Sequence, residues 1–205
     1  MKKFISLLFV LVCTLLISSC GNSNFDIRDT DNYYAQIEVE NYGVINLKLE
    51  WDEAPDTVDN FISLVSRGFY RGTIFHRVID DFMIQTGGYF LKGNLLKTKE
   101  AKTITGEFKE NGHKNNIKHK LGTISMARAT DFNSASSQFF LCSSDNCSHL
   151  DGFYAAFGNT TDEESNDVIV RISKQRTSHQ YGMDDFPNEL IIIKNITLSN
   201  TKFTR

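Results

Sequence analysis

Apolar and polar residues alternate along Tyr34-Ala35-Gln36-Ile37-Glu38-Val39-Glu40, and alternate again over Val44 to Leu49 after Asn41-Tyr42-Gly43. A period of two marks half-buried strands, and the turn residues between the runs predict a hairpin. The period then changes. Val58, Phe61, Ile62 and Val65 recur at helical spacing, with Pro55 near the helix start and Gly68 at its end. Thr73 to Ile79 and Asp81 to Gln85 read as two strand segments with a tight bend at Asp80-Asp81, followed by the glycine turn Thr86-Gly87-Gly88. Leu91 to Lys120 is polar and aperiodic and reads as a long loop, a feature that usually carries function. Leu121 to Ala127, Gln138 to Cys142 and Tyr154 to Phe157 are further short strands. Asp162 to Ser173 is a helix with Val168, Ile169 and Ile172 on one side, and Glu189 to Leu198 is a closing strand. Many short strands with two helices predict an all-β sandwich or barrel, the helices plugging the ends of a closed barrel that has no free edges.

The start of the chain follows a different pattern. Lys2 and Lys3 precede an apolar run from Phe4 to Ile17, and Ser18-Ser19 lead directly into Cys20. The run is shorter than the roughly 20 residues that span a bilayer, and its basic flank and small-residue end predict a secretory signal over 1–19. A cysteine at that position resembles a bacterial lipobox. The resemblance implies lipid on Cys20 and a protein held on the extracytoplasmic face of a membrane, because several acyl chains exceed what stable anchoring needs. Residues 20–33 then form a polar tether of at most about 40 Å, and residues 34–200 form one domain with a sizeable core.

Charge narrows the partners. Of 22 Lys and Arg, removal of Lys2 and Lys3 leaves 20 against 25 Asp and Glu, a net charge of about −5. This excludes a nucleic-acid partner, which would favour a basic surface. Beyond Cys13 and Cys20 only Cys142 and Cys147 remain; in an oxidising compartment they either pair across the short loop or stay as thiols. No pattern marks an interface, and a monomer is expected.

The chemistry concentrates in Phe75-His76-Arg77, Phe82-Met83-Ile84-Gln85 and, about fifty residues on, Ser137-Gln138-Phe139-Phe140-Leu141. This set puts a permanent cation beside an apolar cluster with two glutamines. Ser134, Ser136 and Ser137 lack a nucleophile-elbow glycine pattern. His113 and His119 fall in the polar loop without metal-ligand spacing, so neither a metal nor a cofactor is called for. Phe139 and Phe140, as strand neighbours, face opposite sides, which assigns Phe139 to the core.

These motifs, with Ile124-Ser125-Met126-Ala127-Arg128, Ser134 to Phe140, Leu150-Asp151-Gly152 and Ala156-Phe157-Gly158, resemble the cyclophilin family of peptidyl-prolyl cis-trans isomerases in order and spacing. The resemblance covers about Tyr34 to Leu198 and implies an eight-stranded antiparallel barrel closed by two helices. It implies that Arg77 is the catalytic arginine, acting with Phe82 and Gln85. Met83, Phe140 and Leu150 would complete a proline pocket, and Ala127, Gln138, His149 and Tyr154 would meet the peptide or the pocket wall. The chain departs from the family in three places. His149 stands where many members carry tryptophan, a position used in recognising the family's cyclic-peptide inhibitor. Tyr154 stands where many carry histidine. Thr86 is inserted before the glycine pair.

The residue set suits that reaction. An X-Pro bond exchanges over tens to hundreds of seconds because twisting it loses about 18–20 kcal/mol of amide resonance. The twisted nitrogen regains a lone pair. A donor aimed at it, or at the turning carbonyl, binds the twisted state better than either planar one, and that difference is catalysis. The expected substrates are therefore proline-containing polypeptides in the cell envelope. The alternative from a different class is a proline-segment binding module or holdase with little turnover.

Overall fold

The alternating runs form a hairpin as expected: β1 (Tyr33–Val39) pairs antiparallel with β2 (Gly43–Leu49), with Ala35, Ile37, Val39, Ile45, Leu47 and Leu49 buried on one face. The computed structural model describes residues 33–204. The expected signal segment, Cys20 and the expected tether up to residue 32 lie outside the described residues, and Tyr33, expected in the tether, opens β1. No helix among the described residues is long and apolar enough to cross a membrane.

Helix α1 (Pro55–Ser66) carries the expected stripe of Val58, Phe61, Ile62 and Val65, all buried. Its first backbone donors are not capped from within the helix. Instead, Glu107, in the long loop, accepts from Asp56 N at 3.0 Å and Thr57 N at 2.8 Å. The rest of the chain adds β3 (Arg77–Ile79), β4 (Met83–Thr86), β5 (Tyr89–Lys92), β6 (Leu95–Thr98), β7 (Thr123–Met126), β8 (Phe139–Cys142), β9 (Ala156–Thr160), α2 (Glu163–Ser173), β10 (Thr177–Gln180), β11 (Met183–Pro187) and β12 (Ile193–Ser199). Asp162 caps α2 by accepting from Ser165 N at 2.9 Å.

Eight strands form one antiparallel sheet in the order β12-β1-β2-β9-β7-β8-β4-β3. The expected closed barrel is corrected here: the sheet is curled but open, with β12 and β3 as its edges. Between those edges stand an isolated bridge, Ile74 to Ile192, and single bonds such as Phe75 N to Ile191 O at 2.9 Å. The chain leaves the ladder on both sides of that bridge, so no continuous pairing seals the seam. A second correction concerns the long loop. Its first part folds into the β5–β6 hairpin, and a further hairpin, β10–β11, stands where only a connection was expected.

Within the curled sheet lies a core that includes Phe61, Tyr70, Phe139 and Phe157, whose rings meet at centroid distances of 5.4 to 5.6 Å. Close packing at the β2–β9 crossing depends on Gly158, where a side chain would collide with the Lys48 carbonyl and Ile124. A second, smaller apolar cluster of Met83, Phe140, Cys142, Cys147 and Leu150 lies apart from the first.

Candidate active site

Strand alternation builds the second cluster. On β8, Phe139 and Leu141 enter the main core while Phe140 and Cys142 point the other way; on β4, Ile84 goes in and Met83 goes out. The register then aligns the outward residues in rows. Arg77 pairs with Gln85, Gln85 with Phe140, and Phe140 with Ser125, a single line across β3, β4, β8 and β7. Ile79, Met83 and Cys142 form the next line. Phe82 is set beside them by the bend between β3 and β4, where Asp81 adopts a left-handed φ of 56°. Its carbonyl accepts from Ser143 N at 2.9 Å and from Cys147 Sγ at 3.0 Å, which ties the bend to the loop after β8.

The result is a cleft of about 120 Å³ lined by Arg77, Phe82, Met83, Gln85, Ala127, Arg128, Phe140, Leu150 and Tyr154. Eight of these nine were expected from the sequence. Arg77 is half-exposed, and its Nε lies 3.6 Å from Asp185 Oδ2 on β11. Tyr154 meets the Phe140 ring edge-on at 5.8 Å and 84°. Two expected contact residues stand one layer back. Gln138 Oε1 accepts from Gln85 Nε2 at 2.9 Å, so it orients Gln85. His149 lies against Phe82 with ring centroids 5.2 Å apart and buttresses that side chain. Cys142 and Cys147 are both buried free thiols behind Met83 and Phe140. Donation of its proton to Cys147, reinforced by burial, raises the Cys142 thiol far above the ordinary range. Cys20 lies outside the described residues.

Several residues around the cleft carry no role legible from the sequence. His119 is buried and lies nearly parallel to the Phe140 ring, 6.1 Å between centroids. Its Nδ1 is 3.0 Å from Asp151 Oδ1 and its Nε2 is 2.9 Å from Ser125 Oγ. A carboxylate only accepts, so Nδ1 carries the proton and Nε2 accepts from the Ser125 hydroxyl. Burial lowers the His119 pKa against the pull of Asp151, which favours this neutral form. Ser125 is wholly buried and therefore not a nucleophile for an outside substrate. The triad-like trio is instead a floor for Phe140. Arg128 was legible only as part of a motif. Asp185 had no signal beyond the Tyr181-Gly182 turn of its hairpin, where both residues have positive φ.

A cation beside an apolar, partly water-excluded slot, flanked by an amide that is itself held in place, can bind a neutral ring and favour a shift of electron density. It offers no accessible nucleophile. Comparison with known proteins agrees in both sequence and shape. A sequence model of the family described as cyclophilin type peptidyl-prolyl cis-trans isomerase/CLD matches residues 34–198. The chain belongs to the cyclophilin family. It is 39% identical over 166 residues to peptidyl-prolyl cis-trans isomerase B of Escherichia coli strain K12, covering 78% of this chain and 96% of that protein. The crystal structure of a Cryptosporidium parvum cyclophilin type peptidyl-prolyl cis-trans isomerase superposes with a TM-score of 0.64 at 26% identity, covering 82% of this chain and 98% of that one. The same Cryptosporidium isomerase in the presence of the dipeptide Ala-Pro gives a TM-score of 0.63 at 27% identity, covering 81% and 98%. This cyclophilin thus has the family's all-β fold with two helices.

Proposed function

We propose that this cleft accelerates rotation about X-Pro bonds in polypeptides, with Arg77 as the donor to the twisted imide and with Phe82, Met83, Phe140 and Leu150 holding the ring. The observation that carries this reading is the shared concavity: Arg77, Gln85 and Phe140 stand in one cross-strand row above the apolar floor. The guanidinium is always charged and its fork is planar, so its donors are already in place when the bond twists. Phe82 and Phe140 exclude water, which strengthens the field at the imide. Gln85, steadied by Gln138, supplies an amide to the peptide backbone. No proton moves and no bond to the protein forms. The test is a proline-peptide isomerisation assay, in which Arg77→Ala lowers kcat/KM by about 10²–10³ on the scale of losing one preorganised donor. An unchanged rate in that variant rejects the role of Arg77. A cell phenotype rescued equally by wild type and Arg77→Ala would favour binding without turnover.

The same proposal places the protein at the cell envelope as a lipid-anchored monomer. Support comes from the basic start, the apolar run and Cys20 in the sequence. With Cys20 lipidated, the short tether would keep the cleft close to the membrane, facing newly exported chains. Fatty-acid labelling and membrane fractionation test the anchor. Cys20→Ser is expected to lose both label and membrane association, and retention of both in that variant would remove the anchor from the proposal.

A further inference from the structure

Two cations line the cleft, and they differ in their partners. Arg77 faces Asp185 at 3.6 Å, so part of its charge is answered within the protein. Arg128 follows β7 and is clamped by aromatic rings, its guanidinium carbon 4.7 Å from the Tyr154 ring centroid, 4.9 Å from that of Phe132 and 5.2 Å from that of Phe108. Nε donates to Phe153 O at 3.0 Å, and Nη1 donates to Ala129 O at 2.9 Å and Thr130 O at 3.4 Å. Among the described residues Nη2 makes no hydrogen bond, and no carboxylate lies within ion-pair distance of Arg128.

This arrangement differs from an ordinary surface arginine. Stacked rings and three carbonyl acceptors fix the side chain, so little rotamer freedom remains to be lost when a ligand arrives. Its charge is not cancelled locally, although the chain as a whole is acidic, with a formal net charge of −3. It stands beside Ala127 and Tyr154 at the wall of the slot that takes the ring. A peptide with its proline on the Phe82–Met83–Phe140 floor has to pass this wall.

We propose that Arg128 is a specificity residue that selects substrates with a carboxylate beside the proline, namely an aspartate or glutamate flanking the X-Pro pair. The inference rests on the isomerase reading above and names the class of substrate that the same cleft prefers. The free Nη2 donates to the carboxylate, and the aromatic clamp limits the water that would otherwise screen the pair. A lysine at the same place in the peptide meets like charge and is disfavoured.

The test uses the full chain and a peptide set identical except for Glu, Gln or Lys at the residue on either side of an Ala-Pro pair. The readout is the ratio of kcat/KM values within each enzyme, which cancels any general loss of activity. In wild type at low salt, Glu over Gln is expected to be about threefold to fivefold at one of the two positions, the size of a partly exposed ion pair. Lys falls below Gln there, and both differences shrink as salt rises. Arg128→Gln brings the Glu-to-Gln ratio to about one. A wild-type ratio of one with good turnover of the Gln peptide overturns the specificity proposal and leaves the isomerase reading standing. A ratio that persists in Arg128→Gln overturns the assignment to Arg128. Absence of turnover for every peptide overturns both readings. The wild-type ratios and their salt dependence need no variant, so the proposal stays testable even if Arg128→Gln folds poorly.

Discussion

Asp185 Oδ2 lies 3.6 Å from Arg77 Nε, and this contact crosses from the β10–β11 hairpin to the edge strand β3. Asp185 holds this position with a left-handed φ of 58°, a backbone state that non-glycine residues adopt only rarely. Both side chains are partly exposed, so the pair adds little to stability. Its value is directional: it engages the Nε side of the guanidinium and leaves the two terminal nitrogens for the cleft. Asp185→Ala is therefore expected to lower kcat by about threefold to tenfold with KM nearly unchanged, a misorientation effect. Asp185→Asn, which keeps an acceptor, recovers part of the loss. Steady-state kinetics of the two variants check this, and equal, unaltered kcat values would refute it.

Gly88 is a second lever on the site. A Cβ added there would lie 2.6 Å from Gln138 Cγ, Cδ and Nε2. The glutamine side chain can swing away, but doing so breaks its 2.9 Å bond with Gln85. Gly88→Ala should keep the fold and reduce kcat/KM by about tenfold. Circular dichroism and the isomerisation assay together separate this outcome from unfolding.

His76 links acidity to stability. Burial, chiefly, lowers its pKa from 6.5 to about 4, with Arg77 adding to the effect and a bond to the Ile74 backbone opposing it. The folded protein thus holds the ring neutral while the unfolded chain protonates it near 6.5. Above that pH both states are neutral and nothing is lost. Between about 6.5 and 4 the unfolded state binds the extra proton, so acidification favours unfolding, by roughly 3 kcal/mol once complete. Urea unfolding at pH 7 and pH 4.5 should show the decline, and His76→Gln should reduce it. Burial also lowers the His119 pKa, so its contribution has the same sign.

Glu107 caps α1 from about fifty residues away. It is buried and accepts from two backbone donors of the first helical turn. Glu107→Ala would leave those donors unmet in a place that water scarcely reaches, at a cost of about 1–3 kcal/mol. The denaturation midpoint should fall with little change in slope.

The Glu107 cap also illustrates what the sequence conceals. The strands that build the cleft were readable because their alternation is local: Phe139 inward and Phe140 outward follow from a period of two. Glu107 and His119 were not readable, because each lies in an aperiodic, largely polar stretch and is fixed only by residues of other elements, α1 in one case and Ser125 with Asp151 in the other. The β5–β6 hairpin was missed although Gly93-Asn94 marks its turn, because Tyr89, Phe90 and Leu91 are all half-buried and show no alternation. Closure of the sheet was overpredicted for a related reason. Strand count is visible in a sequence, whereas pairing across the Ile74–Ile192 seam depends on where each edge leaves its ladder.

Strand β8 serves two masters. Phe139 and Leu141 belong to the interior, and Phe140 and Cys142, one residue away each, belong to the second apolar cluster beneath the cleft. Any repacking of the interior beneath β8 is transmitted through a single backbone to the surface that meets clients. Drift in hidden positions is thus a route by which such an isomerase could change its client preferences while every residue lining the groove stays the same.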